Sequence, residues 1–438
     1  MKSKALQMKR HFISGKFIIG IDPSKNKHQA AILNPFGIQQ GSSFTFQNNA
    51  KGYHIDLWRK LQKRKVDITP ENTFFAVEAS CNLWQKLTLY LVTKEYTVLK
   101  VNPLSTYHAR PRVNTSYSKS DPIDAPLVAD CARDGAFSVF CYHTPHIRAM
   151  HQLSICYDKL KKDLVRNRLR LRAVVEQVFP EMPKILDLKT LTALDLLSRY
   201  FTPQDFIQMN PFEEALLIEK ISRNQHGIET LNKLQQAASQ SIGVSLLQPH
   251  LSVERMNLDI WLERIGMTRT QMQRVRSELI RLAKQTPYFH IIASVEGISQ
   301  LTTALFIAET RDLDYFNHFR QIEKLAGTNL KLSQSGKFTG YRRITHIGNS
   351  RLRSILYRMT EETAKRIPEV RIKFIKRQMK REQYRKSIIA CTSNLLKLFF
   401  ALIHENHLYQ RNNDKIKFLE QLEIQYEHYR MKKNKAIG

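Results

Sequence analysis

A mixed α/β domain followed by two mainly helical regions is the fold class this chain predicts, and three observations predict it. Short β-branched runs at 17–21, 29–33 and 73–77 alternate with helical patterns near the start of the chain. From Ile147 onward, apolar residues recur at three- and four-residue steps over a much longer stretch. A basic segment rich in Gly and Ser, 326–353, then interrupts a further set of helical patterns.

Taken in order, 17–21 and 29–33 read as strands joined by the polar turn Pro23-Ser24-Lys25-Asn26-Lys27, with a third strand near 43–46. Ile55, Leu57, Trp58 and Leu61 among charged neighbours predict an amphipathic helix over 53–65. A buried strand at 73–77, a helix at 83–92 and a strand at 97–101 follow, with Pro103 as a stop. Three antiparallel strands, a helix, a strand, a helix and a further strand form the order of an RNase H-like sheet. A basic loop, 107–119, leads to a helix over about 121–134.

The long helix runs over 147–179, with Leu153, Leu160, Leu164, Leu171 and Val178 on one face and Lys161, Arg166, Arg168 and Arg172 on the other. Such a face is ordinarily solvated, and in a basic chain it also suits a phosphate backbone. Helices at 186–201, 211–221 and 255–285 complete a helical insertion, read as an antiparallel hairpin or coiled-coil pair. Near Ile291 a turn at Ser294–Ser299 followed by an apolar helix has the shape of a helix-hairpin-helix element. The residues after Tyr409 read as a polar, partner-dependent tail. The expected division is a basic tail at 1–14, an α/β domain at 15–145, a helical linker and dimerisation region at 146–290, a C-terminal domain at 291–409 and a polar tail at 410–438.

At 438 residues the chain can bury two or three cores. Its 69 Lys and Arg against 39 Asp and Glu give a net charge of +30, which points to a polyanionic partner, nucleic acid first. No uninterrupted apolar run reaches membrane-spanning length and the first ten residues lack the core of a secretory signal, so a cytoplasmic protein with no membrane partner is expected. Five scattered cysteines without CxxC spacing predict reduced thiols rather than disulfides or a zinc knuckle.

Against that basic background, four acids form the candidate site. Asp22 and Glu78 each follow a buried strand, and parallel pairing of those strands would bring the two carboxylates together. Asp121 and Asp124, three residues apart, share one face at a helix start. Four carboxylates can hold two cations about 4 Å apart for in-line phosphoryl displacement, and hard oxygen donors suit Mg2+ or Mn2+. Asp121 before Pro122 also reads as a helix N-cap with proline at N1, and Asp124 as a helix-start acid at N3; the two roles are compatible for Asp121. A second constellation is Gln334-Ser335-Gly336-Lys337 with Arg342, Arg343, Asn349, Arg351 and Arg353: a hydroxyl in a strongly basic setting. A third basic stretch, 365–386, suits backbone contact with nucleic acid.

The motifs Ile19-Gly20-Ile21-Asp22, Val77-Glu78-Ala79, Lys119-Ser120-Asp121-Pro122-Ile123-Asp124-Ala125, Ala326-Gly327, Gln334-Ser335-Gly336-Lys337 and Gly348-Asn349-Ser350-Arg351-Leu352-Arg353 together resemble the DEDD transposases of the IS one-ten and IS one-eleven-eleven insertion sequences. The resemblance implies a RuvC-like N-terminal domain, a coiled-coil section supporting a homodimer or homotetramer, and a C-terminal transposase domain. It implies metal ligands at Asp22, Glu78, Asp121 and Asp124, and Ser335 as a nucleophile forming a phosphoserine link to DNA, with Ser333 as the alternative. Lys337, Arg342, Arg343, Asn349, Arg351 and Arg353 would contact nucleic acid. Members are similar to site-specific recombinases that join donor and target DNA under an element-encoded bridge RNA, with the two halves meeting in the assembled oligomer. The chain departs from the family pattern at Val295-Glu296-Gly297-Ile298 and at Thr345-His346-Ile347, where two expected cations are missing. The same carboxylates would also serve a junction-resolving or RNase H-like nuclease that uses water. In a non-catalytic nucleic-acid-binding protein they would only cap helices and balance charge.

Overall fold

Strand residues in the first part of the chain alternate between two cores, as a period of two requires. Ile19, Ile21, Phe75 and Val77 face one apolar cluster, while Ile18, Phe74, Ala76 and Leu99 face another. In the computed structural model, residues 2–64, 66–80, 82–113, 121–244, 247–331, 334–335, 338–339 and 343–435 are described. The chain divides into two units, Met1–Tyr142 and His143–Gly438.

The first unit contains, in chain order, α1 (Lys2–Ile13), β1 (Phe17–Asp22), β2 (Lys27–Leu33), β3 (Phe44–Gln47), α2 (Leu57–Gln62), β4 (Thr73–Glu78), α3 (Trp84–Thr93), β5 (Thr97–Val101), α4 (Pro103–Val113), α5 (Asp121–Arg133) and β6 (Phe137–Val139). The sheet order is β3-β2-β1-β4-β5-β6. β2 runs antiparallel to β1 and β3, β1, β4 and β5 are mutually parallel, and β6 is antiparallel to β5. Helices α2 and α3 supply Leu57, Leu61, Leu87 and Leu91 to the cluster on one face, and α5 supplies Val128, Ala129 and Ala132 to the other. Each of these Leu and Val side chains contributes roughly 1.5–3 kcal/mol on burial.

Three readings of this region change, the first being that α4 takes in residues 107–113 of the segment read as a basic loop. Pro103 begins α4 instead of closing a strand, because a residue with no N–H to donate is well placed in a first helical turn. The first 14 residues, read as a tail, carry α1, whose Ile13 is buried and whose Phe12 stacks on Phe74 with ring centroids 5.0 Å apart.

The second unit opens on α6 (Pro145–Val178), which Thr144 caps by accepting the Ile147 amide. Five shorter helices follow: α7 (Met182–Ile185), α8 (Leu191–Arg199), α9 (Pro203–Gln208), α10 (Pro211–Ser222) and α11 (Ile228–Ser239). Then comes α12 (His250–Ala283), which has the same 34-residue length as α6 and packs along it. The pair is antiparallel: His146 at the start of α6 bonds the carbonyl of Leu282 at the end of α12, 2.9 Å away. At its other end, Leu171, Val175 and Val178 of α6 share a core with α7–α11.

The remainder comprises α13 (Phe289–Ala293), α14 (Gln300–Thr310), α15 (Phe319–Ala326), β7 (Leu330–Lys331), β8 (Gln334–Ser335), β9 (Phe338–Thr339), β10 (Arg343–Ile344), α16 (Ser350–Thr363), α17 (Pro368–Met379), α18 (Tyr384–Glu405) and α19 (Asn413–Lys435). The segment read as loop thus holds two antiparallel pairs, β7 with β10 and β8 with β9. The polar tail contains α19, held to α17 by an Arg371–Glu423 ion pair at 3.0 Å, with Leu422 buried. Helix α18 is the one described helix long and apolar enough to cross a membrane. Its Ile388, Cys391, Leu395, Leu396 and Phe399 instead fill the core of this unit. Cys131, Cys141, Cys156 and Cys391 are free thiols, and Cys81 lies outside the described residues.

Candidate active site

Two of the four acids end adjacent parallel strands. Ile21 pairs with Val77, so Asp22 and Glu78, each the next residue and each half-buried, finish β1 and β4 side by side. Side chains at the carboxyl ends of parallel strands stand where open α/β sheets bind their ligands. Glu78 accepts a hydrogen bond of 2.8 Å from the hydroxyl of Thr106 on α4.

Gly20 explains how α5 comes to this edge. A Cβ at position 20 would lie 2.3 Å from the Ala125 carbonyl oxygen and 2.6 Å from the Ala129 nitrogen, so α5 rests directly on β1. Any side chain at that position would push the helix off the strand. Asp124, one residue before Ala125, is thereby anchored to the strand that ends at Asp22. Its carboxylate is buried and accepts both bonds from one nitrogen of Arg110 on α4, at 2.9 and 3.1 Å. The Arg110 Nε is itself buried without a partner among the described residues. Asp121 begins α5, and its side chain lies outside the described residues.

The donor set suits a hard divalent cation: oxygen ligands at two neighbouring strand ends and a third carboxylate on the helix packed across them. Among the described residues, no group of three or more His, Cys, Asp and Glu side chains converges closely enough to hold a metal. Arg110 accounts for part of this, because a carboxylate bonded twice to a guanidinium has its oxygens engaged. The residues fit such a cation in kind and in backbone position, with the Asp124 carboxylate bonded to Arg110.

The turn after Asp22 is fixed by a buried network. His28 Nδ1 accepts the Ser24 amide at 3.1 Å, which leaves Nε2–H to donate to the Tyr53 hydroxyl at 3.0 Å. Tyr53 donates to Asn48 Oδ1 at 2.5 Å, and Asn48 Nδ2 bonds the carbonyls of Ser24 and Lys25. Burial pushes the His28 imidazole down to about 4, against a smaller upward pull from Asn48, so the ring is neutral near pH 7.

The distal motifs form one knot of backbone and buried charge. Gly327 ends α15 in the left-handed region with φ +69°, and the Asn349 amide bonds the Leu325 carbonyl at 2.7 Å. A Cβ at Gly348 would sit 2.5 Å from that same carbonyl oxygen, which accounts for the glycine. Asn349 caps α16, its Oδ1 accepting the Arg351 and Leu352 amides. Its Nδ2 and the Arg351 guanidinium both bond Glu309 of α14, at 2.5, 2.8 and 3.2 Å, and Ser154 of α6 adds a bond of 2.7 Å. Burial alone would raise the Glu309 carboxyl, but the bonds from Arg351, Asn349 and Ser154 hold it below the ordinary glutamate range. Arg353 donates to the Ala326 and His346 carbonyls.

Ser335 lies on β8, opposite Phe338 of β9. Its side chain and that of Arg343 lie outside the described residues, as do Ser333, Lys337 and Arg342 altogether. Sequence reasoning missed Arg110, Thr106 and Glu309. Glu309 sits in the apolar run Leu305-Phe306-Ile307-Ala308, where an unaccompanied acid is a usable signal of a buried ion pair.

Two family models match the chain. A DEDD transposase model of the IS110 type covers residues 19–180, and a model described as Transposase IS116/IS110/IS902 family covers 289–376. Together they take in more than half of the sequence, and no curated protein matches it.

Proposed function

For a chain that belongs to the IS116/IS110/IS902 family of transposases, and so acts on DNA as a transposase and recombinase, we propose serine-linked strand exchange supported by divalent metal. The observation that carries this reading is the parallel pairing of β1 with β4, which ends both strands on a carboxylate. The strand order supports an RNase H-like, RuvC-like fold over 15–145. The α6/α12 pair supports a coiled-coil arm over 146–290 that assembles a homodimer or homotetramer, and 291–409 would be the C-terminal transposase domain.

Asp22, Glu78, Asp121 and Asp124 would hold Mg2+ or Mn2+, with Arg110 releasing Asp124. The bound cation would supply Lewis-acid polarisation of the phosphate and stabilise the leaving oxygen. The Ser335 oxygen attacks phosphorus and loses its proton to a base. An Oγ–P bond forms, the P–O bond to the deoxyribose breaks, and the departing oxygen takes up a proton. Because the phosphoserine link retains the phosphodiester's free energy, rejoining to a second strand requires no nucleotide hydrolysis. Lys337, Arg342, Arg343, Asn349, Arg351 and Arg353 would serve the nucleic acid. Asn349 and Arg351 would do so through the helix start they organise around Glu309. Donor and target DNA would be selected by an element-encoded guide RNA, and the core position of α18 supports work in the cytoplasm, away from membranes.

The test is a denaturation-stable protein–DNA adduct formed with copurified RNA, nicked target and Mg2+. Ser335→Ala abolishes the adduct, and Asp22→Ala or Glu78→Ala lowers its rate about 1000-fold or more, since several kcal/mol of transition-state stabilisation is lost. Cleavage without any adduct in the wild type would replace this reading by the water-dependent nuclease. If Ser335→Ala retains the adduct while Ser333→Ala loses it, the nucleophile moves to Ser333.

A further inference from the structure

Helices α17, α18 and α19 line an open cavity of about 670 Å3 with an unusual wall. Six cations surround it: Lys373, Lys376, Arg377, Lys380, Lys397 and Lys415. The single acid in the lining, Glu369, already accepts bonds from the Tyr409 hydroxyl at 2.9 Å and from Lys415 at 3.2 Å. Ile372, Asn394, Leu398, Ala401 and Phe418 make the rest of the lining, all but Asn394 apolar. The Phe418 ring is 44% exposed, and the Lys376 ammonium stands 4.8 Å from its centroid.

A solvated helix face spreads its charges outward; here they converge from three helices on one space. Glu369 pairs with Lys415 and Glu382 with Arg377, which still leaves the lining with a large excess of positive charge. Burial lowers the Lys373 ammonium; Cys391 and Glu323 offset this, while Arg377 and Lys397 add to it. The Arg377 Nε is buried with no partner among the described residues. An anion entering the cavity would relieve both conditions, and the exposed aromatic ring beside the ammonium adds a flat apolar surface. A space of this volume accepts a ligand of nucleotide size. Phosphate and a planar base are the two halves of one ligand chemistry.

We propose that the α17–α18–α19 cavity is a binding site for single-stranded nucleic acid, in which the six cations take the phosphodiester backbone and Phe418 stacks an unpaired base. Lys373 and Lys376 lie within the family match, which ends at residue 376, and Lys380, Lys397, Lys415 and Phe418 lie beyond it, so the site straddles the end of that match. The proposal rests on the chain's acting on nucleic acid, and not on the carboxylate and serine chemistry.

The experiment measures anisotropy of labelled single strands of about 12 nucleotides, RNA and DNA in separate arms, against the full-length chain without divalent metal. Lys376, Lys380 and Lys397 are exposed, so the triple change to Gln leaves folding intact. It should weaken binding on the order of 30- to 100-fold at about 0.1 M salt and reduce the salt slope by about 2. Phe418→Ala should weaken binding about fivefold or more with the slope unchanged, because stacking releases no counterions. The same three-fold charge removal at Lys51, Lys63 and Lys94, exposed in the other unit, is the control. Equal affinity and slope for both triple variants would overturn the proposal, as would polyglutamate competing as well as either oligonucleotide, or Phe418→Ala binding as the wild type does. Preference between the RNA and DNA arms identifies which strand the cavity takes. Ser335→Ala should bind normally, so failure of the strand-exchange chemistry and failure of this site read out separately.

Discussion

Asp124 and Glu309 are both buried acids that accept an arginine, yet their surroundings differ in kind. Glu309 is bonded by Arg351, Asn349 and Ser154 together, and its side chain has no exposed surface. The bonds described for Asp124 come from Arg110 alone, whose guanidinium leaves another nitrogen buried and unpaired. A carboxylate satisfied from several directions fixes a fold, because moving any donor costs a buried charge its partner. A carboxylate held by one long, partly exposed side chain can exchange that partner for a cation at small cost. The first arrangement is fixed from several directions and the second from one.

The largest expected effect tests the architectural half. Glu309→Ala should destabilise the chain by about 3 kcal/mol in urea unfolding, since it strands Arg351 and Asn349. Glu78→Ala at the sheet edge should cost less than about 1 kcal/mol. If the two variants unfold alike, the contrast collapses. Acid should act in the same direction on Glu309: its carboxyl is lowered in the fold, so its contribution is complete above the ordinary glutamate range and disappears as pH falls below it.

The next effect concerns the turn behind Asp22. His28 takes a proton at about 6.5 when unfolded but only at about 4 when folded, so below 6.5 the unfolded state binds the extra proton. Stability is therefore full above that pH and declines as pH falls toward 4. His28→Gln should flatten that part of the urea-midpoint profile; an unchanged slope would remove His28 from the account. The smallest effect sharpens the comparison directly. Arg110→Ala should tighten Mn2+ binding about fivefold by calorimetry, the worth of about 1 kcal/mol for a partly exposed ion pair. Unchanged affinity would make Asp124 architectural like Glu309.

Much of the first unit was legible because strands and their partners announce themselves locally. The 97–101 run is β5 to the residue, and β1 and β4 each extend one residue beyond the expected run, onto Asp22 and Glu78. Short-range signals failed where the deciding interaction is distant. Pro103 and residues 2–13 are helical, and the tail after Tyr409 gained order from Leu422 and Glu423 against α17. The motif Gly348-Asn349-Ser350-Arg351 was visible as basic and turn-rich, but nothing near it in the chain says that Glu309, forty residues earlier, receives both side chains.

The sequence by itself determined the alternation of strands and helices, the surplus of positive charge and the placing of acids after buried strands, because periodicity and charge are properties of neighbours along the chain. Only the tertiary structure decided that Gly20 lets α5 lie on β1, that Arg110 occupies Asp124, and that six cations from three helices face one cavity. Those depend on which surfaces meet, and burial sets the worth of a charge by what the fold brings against it rather than by what precedes or follows it.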